Sequence, residues 1–330
     1  MDGIERVMES GNVLLLDAVM KCRSVLEQHR LACVSVSGGG DSDCMIDLVE
    51  RVREGTGCEV AYAWFDTGLE YKATKEHLGY LEDRYGIEIM RHKARKSIPT
   101  CCRRYGQPFL SKYVSEQMGR LQKHGFRWED EPRDVLMERY PNCTSAIKWW
   151  TNGWTRTPEP GWFDIGRNKL LKEFVVENPP DFPISSKCCW YAKKRVAQDI
   201  DAELGNDLMM VGTRKAEGGI RSAGSTCFSK HEGGVDTYRP LFWWNDDAKA
   251  EYIDLFDIRR SDCYEVWGFK RTGCVGCPFG RKVQDELAVA ERFEPNLVRA
   301  ARTIFADSYE YTRRYREYVA DHEGQMRLSL

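Results

Sequence analysis

The chain of 330 residues has no apolar run near the ~20 residues that a bilayer-spanning helix needs. Its amino-terminal residues, Met1-Asp2-Gly3-Ile4-Glu5, are acidic and lack the basic and apolar stretches of a signal peptide. A soluble cytoplasmic protein without a membrane partner is therefore expected. The sequence has little net charge, −2 at pH 7, so no global polycation is available to hold nucleic acid, and only a local basic groove could do so. It has no internal repeat and no low-complexity tract. It lacks the Gly-Lys-Ser/Thr of a Walker A loop and has no Gly-x-Gly-x-x-Gly run at its glycine-rich segment. Of its six histidines, His77, His92 and His231 form no metal-binding pattern.

Cysteine, by contrast, is abundant and odd in number, at 13. In a reducing cytosol such enrichment points to a metal, cluster or redox site rather than a disulfide framework. Cys22, Cys33, Cys44 and Cys58 lie in apolar-periodic segments and read as small buried hydrophobes.

Apolar periodicity predicts a helix over 11–29, a buried strand over Leu31–Val36, a glycine-rich loop over Ser37–Ser42 and a helix over Cys44–Val52. A strand over Glu59–Phe65, a helix over Thr74–Tyr85 and strands over Ile87–Met90 and Asp207–Val211 follow. Strands alternating with helices imply an α/β fold, a Rossmann-like parallel sheet flanked by helices. Residues 105–182 differ in character: they are rich in aromatics and proline, with Trp149, Trp150, Trp154 and Trp162 close together. Linkers lack tryptophan, so this reads as an inserted subdomain. The tryptophans are either its core or a surface on which bases stack. Residues 285–322 are helical and heavily charged. The expected organisation is an N-terminal helix (1–30), a nucleotide-binding domain in two parts (31–104 and 183–255), the insertion (105–182) and a C-terminal Cys-x-x-Cys and helical region (256–330).

The loop Ser37-Gly38-Gly39-Gly40-Asp41-Ser42 carries the chemistry. Glycines let the backbone approach a phosphate without side-chain obstruction. The following helix presents unpaired N–H groups and a positive dipole end. Ser37 and Ser42 can donate hydroxyls, while Asp41 makes sense as a ligand to phosphate-bound Mg²⁺ or as a helix cap. The alternative is a plain strand-to-helix turn with an Asp/Ser cap.

This loop resembles the PP-loop signature Ser-Gly-Gly-x-Asp-Ser of the ATP pyrophosphatase (adenine nucleotide alpha hydrolase-like) superfamily. Phe65-Asp66-Thr67-Gly68 with Thr74 is similar to a segment of the phosphoadenosine phosphosulfate (PAPS) reductase family. So are Gly212-Thr213-Arg214-Lys215-Ala216-Glu217 with Arg221, and Tyr238-Arg239-Pro240-Leu241 with Trp244, Asp247, Tyr252 and Ile253. The matches run in order across residues 31–255. Tyr105-Gly106-Gln107-Pro108-Phe109 and Ser111-Lys112 resemble a phage and bacterial branch of that family.

The resemblance implies ATP or a related adenine nucleotide bound by Ser37, Gly38, Gly39, Gly40, Asp41, Ser42, Asp66, Thr67, Gly68, Gly212, Arg214 and Arg221. It implies catalytic roles for Asp41, Ser37 and Arg214. Asp66 would meet the ribose or the metal, and the two arginines would neutralise phosphate, unless they are solvated surface charges.

Cys274-Val275-Gly276-Cys277 alone is ambiguous among zinc, iron–sulfur and a redox dithiol. With the tandem Cys188-Cys189, flanked by Lys187, Lys193, Lys194 and Arg195, it resembles the 4Fe–4S ligand set of the reductases that use adenosine phosphosulfate. Structural zinc is the alternative, and Cys101, Cys102, Cys227 or Cys263 could replace a ligand. The spacing after Cys189 departs from that family's Cys-Cys-x-x-Arg-Lys. No cysteine follows Cys277, whereas the family's reductases carry a nucleophilic cysteine near the carboxyl terminus. The expected activity is thus cleavage of ATP at the α-phosphate to AMP and pyrophosphate, activating an acceptor for sulfur transfer. DNA or tRNA is a candidate acceptor, and a sulfur donor protein a candidate partner. The alternatives are a PAPS or adenosine phosphosulfate reductase and a non-catalytic nucleotide-sensing or nucleic-acid-binding subunit.

Overall fold

The computed structural model describes residues 2–218, 221–222 and 224–328; the outermost residues of the expected first and last segments, Met1, Ser329 and Leu330, lie outside them. The chain forms two compact units, one from Met1–Arg95 with Ala192–Cys274, the other from Lys96–Tyr191 with Val275–Leu330.

The first unit is built on six strands: β1 (Leu31–Val36), β2 (Glu59–Asp66), β3 (Ile89–Lys93), β4 (Leu208–Val211), β5 (Phe228–Ser229) and β6 (Asp236–Tyr238). Their order in the sheet is β3-β2-β1-β4-β6-β5. All neighbours are parallel except β5 and β6, which close the edge as an antiparallel pair. β1 is central and buried on both faces, which is why it reads as a near-continuous apolar run. The period of two sorts its side chains. Ala32, Val34 and Val36 face one layer, with Leu15, Leu26, Met45, Leu48 and Met210. Cys33 faces the other, with Ala63, Met209, Val196 and Ile200. Helices Val13–Leu26 and Gly40–Val52 cover the first face, and helix Arg195–Leu204 the second. Cys22, Cys33 and Cys44 are fully buried, and Cys58 is half-buried.

Several boundaries shift for local reasons. The first long helix runs Val13–Leu26 because the Asn12 side chain caps it, accepting from the amides of Leu14 and Leu15. β3 starts at Ile89 rather than Ile87. Gly86 ends the preceding helix in the left-handed region (φ 63), and the Ile87 amide folds back onto the Glu82 carbonyl. β5 and β6, of two and three residues, are too short to carry a readable alternation.

In the second unit short helices surround an aromatic core. Trp149 and Trp150 are fully buried with Phe109, Phe174 and Ile147, and Tyr311 and Tyr315 from the last helix join them. These two tryptophans are core. Trp154 and Trp162 are instead exposed, each under a cation, Lys148 and Arg167 respectively.

Gly106 closes helix Ile98–Tyr105 at φ +106, and a β-carbon there would lie 2.1 Å from the Pro183 carbonyl oxygen. Backbone strain and collision combine, so Gly106→Ala should cost on the order of 3 kcal/mol or more. Gly125 shares a positive φ but has open space around it, and Gly125→Ala should cost only about 1–2 kcal/mol. Urea midpoints followed by tryptophan fluorescence should separate the two variants; equal midpoints would show that the close approach at Gly106 is unimportant.

Candidate nucleotide-binding site

β1 lies at the point where the connections reverse direction, with β2 on one side and β4 on the other. In open α/β sheets, ligands bind in the crevice beyond the carboxyl ends of the strands at such a point. Both loops that the sequence singles out flank this crevice: Ser37–Ser42 follows β1, and Gly212–Arg214 follows β4.

The first loop is folded by its own side chains. The Ser37 amide donates to the Ser42 hydroxyl (3.1 Å) and the Gly39 amide to the Ser37 hydroxyl (3.3 Å). Gly38 is left-handed (φ +66), and a β-carbon on it would meet the Thr74 methyl at 2.5 Å. Helix Gly40–Val52 then begins with no side-chain cap at Gly39, so Asp41 is not spent on capping. In its first turn the Ser42 and Asp43 amides close onto the Gly39 carbonyl at 2.8 and 3.1 Å, and the positive end of the helix dipole lies at the loop. The Gly40 amide donates to the Tyr264 phenol oxygen, which also accepts from the Thr272 amide at 3.0 Å.

Asp41 organises the crevice. Its Oδ1 accepts from Arg214 Nε and from Lys249 Nζ, each at 2.8 Å. Arg214 is buried and is held further by Asp246 (2.9 Å) and the Trp244 carbonyl. Gly212 packs against the loop: a β-carbon there would touch the Asp41 carbonyl oxygen at 3.2 Å. Ser37, Gly38, Gly39, Gly40, Asp41, Ser42, Gly212 and Arg214 therefore share one place. The Asp41 carboxylate that the sequence suggests for Mg²⁺ is paired through its Oδ1 with Arg214 and Lys249. Arg221 is exposed and paired with Glu217, four residues away.

Asp66, Thr67 and Gly68 end β2. Asp66 accepts from the Gly68 amide and from Lys75. Thr67 is fully buried, and its hydroxyl donates to Glu70 at 2.6 Å. Burial pushes the Glu70 carboxyl above the usual carboxylate range, with Lys193 opposing the shift. Cys274 lies within 3.6 Å of Thr67 Oγ1 and 3.9 Å of Glu70 Oε1.

Sequence reasoning did not find Lys249, Arg260, Tyr264 or Thr272, which surround the loop from residues 246–274 and carry no motif of their own. Nor did it find the pair behind the loop, Asp43 and His77. Both are buried, and Nε2 approaches Oδ2 to 3.1 Å. The approach is close but poorly aligned, leaving neither Asp43 oxygen with a well-formed hydrogen bond. Desolvation raises the Asp43 carboxyl above its ordinary range, and His77 pulls it back.

The cysteines divide between the units. In the second unit Cys188 hydrogen-bonds with Cys102 and with Cys189; the first contact raises the Cys188 thiol and the second lowers it, while burial adds to the rise. Cys277 belongs to the same unit, and Cys274 closes the last segment of the first. Three neighbouring sulfurs suit a soft metal. Among the described residues, however, no three His, Cys, Asp or Glu side chains are arranged to hold a metal ion. Trp190–Lys194, directly after Cys189, is wound as a π-helix, a departure often found at functional positions.

No known family profile matches the chain, and no curated protein matches it. Among solved structures it is similar to a PAPS reductase from Candida auris in a phosphate complex, at 14% identity and TM-score 0.38, over 74% of this chain and 80% of that one. It is similar to the U34-tRNA thiolase NcsA from Methanococcus maripaludis with its 4Fe–4S cluster, at 13% identity and TM-score 0.42, over 91% and 78%. It is also similar to an NH3-dependent NAD synthetase from Campylobacter jejuni subsp. jejuni NCTC 11168 with nitrate, at 12% identity and TM-score 0.35, over 90% and 92%. Likenesses this distant bear on neither substrate nor chemistry.

The Asp43–His77 pair generates a pH-dependent prediction. His77→Phe removes the group that holds down a carboxyl already raised by burial. An uncompensated buried charge costs about 3–5 kcal/mol. The cost requires ionised Asp43, so it is absent below the ordinary aspartate range and grows as pH rises through and above it. Denaturant unfolding at pH 5 and pH 8 should show the larger loss at pH 8. A pH-independent loss would mean that His77 serves packing alone.

Proposed function

We propose that this chain is an enzyme that binds ATP, or a closely related adenine nucleotide, across the β1–β4 crevice and cleaves it at the α-phosphate. The observation that carries the reading is the convergence of an uncapped helix start, a glycine loop and two cations, Arg214 and Lys249, at the switch point of a parallel sheet. A nucleophile on the acceptor would attack the α-phosphorus, breaking the α–β P–O bond and releasing pyrophosphate. The loop amides and nearby cations stabilise the charge that develops on the departing phosphates. The adenylylated acceptor would then be attacked by a sulfur nucleophile, with AMP leaving and the C–S bond replacing C–O. Mg²⁺ enters as the nucleotide's own counter-ion. DNA or tRNA as acceptor and a protein as sulfur donor belong to the same reading.

Cys188, Cys189, Cys274 and Cys277 are proposed to hold a 4Fe–4S cluster, with Cys102 beside Cys188; structural zinc is the alternative. A cluster there would supply a soft metal centre able to bind or hand on sulfur. A reductase working through Cys227 is less well supported, since that thiol packs half-buried against the sheet core.

Incubation with ATP, Mg²⁺ and an acceptor should yield AMP and pyrophosphate. Asp41→Ala should reduce turnover at least 100-fold, because Arg214 and Lys249 both lose their anchor. ADP and phosphate as products would reject the α-phosphate mechanism. For the cluster, protein purified without oxygen should contain about four irons per chain, and Cys274→Ser or Cys277→Ser should lose the visible absorbance. One zinc and no iron would establish the structural-metal alternative instead.

A further inference from the structure

Lys249 reaches the nucleotide loop from helix Asp246–Phe256, and its ammonium belongs to the loop as much as to its own helix. Nζ is 2.8 Å from Asp41 Oδ1 and 3.2 Å from where a β-carbon on Gly40 would stand. The side chain keeps only 15% of its exposure. Asp41 is the carboxylate that it pairs with among the described residues, and that carboxylate already satisfies buried Arg214.

This placement is electrostatically unfavourable on its own. A cation at the amino end of a helix opposes the macrodipole. Burying a lysine stem costs side-chain entropy, and the ammonium loses water. Against these costs the chain offers half of one carboxylate, since Arg214 claims the same oxygen. Asp246, the other partner of Arg214, is 86% exposed and largely screened by solvent. Two cations thus stand beside the loop on one shared carboxylate oxygen, with Asp246 at the solvent edge, and an anion at the loop would give Lys249 a partner of its own.

We infer that Lys249 is a phosphate-binding residue of this site. It supplies from the chain itself the positive charge that a divalent ion at Asp41 would otherwise bring. With the crevice empty it rests on Asp41. With ligand bound it bridges Asp41 and the terminal phosphates, and the ligand class is a pyrophosphate-bearing anion. The inference deepens the nucleotide reading and rests on it only for the adenosine portion of the ligand.

The test is calorimetric titration of the full chain with inorganic pyrophosphate and, separately, with ATP, each in EDTA and in Mg²⁺. Wild-type protein should bind both ligands in EDTA. Lys249→Met should weaken both at least tenfold, Lys249→Arg should restore most of the affinity, and circular dichroism should show both variants folded. If Lys249 merely neutralises Asp41, then Lys249→Met should change nothing further in an Asp41→Asn background. If it touches phosphate, the loss should persist there. Lys249→Met binding pyrophosphate within twofold of wild type would overturn the inference and leave the nucleotide reading standing. Wild-type binding of pyrophosphate but not ATP, with the loss in Lys249→Met, would uphold the inference and remove the adenine-nucleotide reading. Binding of neither ligand would overturn both.

Discussion

The Asp41 carboxylate is the contact on which the crevice depends. It joins three pieces of chain that are far apart in sequence: the loop after β1, the segment after β4 through Arg214, and helix Asp246–Phe256 through Lys249. Each partner is buried enough that the interaction is only weakly screened, unlike the surface pairs Lys72–Glu76 or Arg313–Glu317, which are worth little. A bidentate-capable guanidinium and a compact ammonium on one oxygen are not equivalent. Arg214 is fixed from the other side by Asp246 and the Trp244 carbonyl, whereas Lys249 has a flexible stem. The arrangement thus contains one rigid cation and one that can follow a ligand.

The sheet was legible because its strands obey simple rules. Leu31–Val36 is bounded as the sequence alone suggests, since a central parallel strand is apolar throughout and ends where glycines begin. The loop after it was legible because glycine and serine at those positions have a direct physical reading. Lys249, Arg260 and Tyr264 were not legible. Lysine in a helix and tyrosine in a connecting segment are common everywhere, and only the tertiary fold reveals that they surround Gly39 and Gly40. The pairing of Asp41 was equally hidden: a carboxylate in a phosphate loop suggests a metal, and the resemblance that brings Arg214 to the same nucleotide does not say that this arginine, 173 residues away, is its direct partner. The cysteine pattern shows the same limit. Spacing drew attention to Cys188-Cys189 and Cys274-Cys277 and left Cys101, Cys102, Cys227 and Cys263 as equal substitutes, and only the fold singles out Cys102 as the one in contact with Cys188.

The tryptophans illustrate how burial divides a compositional signal. Trp149 and Trp150 are one helical step apart near the end of helix Thr144–Trp150, and both are wholly enclosed. Each buries a large apolar surface; Trp149, Phe126 and Trp128 pack tilted or edge-on against Trp150, and Tyr140 packs in turn on Phe126. Trp154 and Trp162 lie in a stretch of turns with little regular structure, so no element carries them inward. A cluster in sequence became two populations in space because helix geometry ends between them.

Of the four carboxylates on helix Gly40–Val52, the aspartates at positions 41, 43 and 47 meet different fates that bear on anion binding. Asp47 is fully buried and well satisfied, accepting from Arg51, Tyr85 and Tyr252. It is a structural anchor whose charge is spread over three donors. Asp41 faces the crevice and is neutralised by cations. Asp43 lies between them, buried and poorly aligned with its one close partner. A full negative charge there, two residues from the loop, would oppose a bound phosphate across a low-dielectric gap. Desolvation lifts that carboxyl toward its neutral form while His77 draws it the other way. Desolvation is the larger of the two, so burial behind the loop works against a second negative charge beside Asp41, where Lys249 and Arg214 meet the crevice.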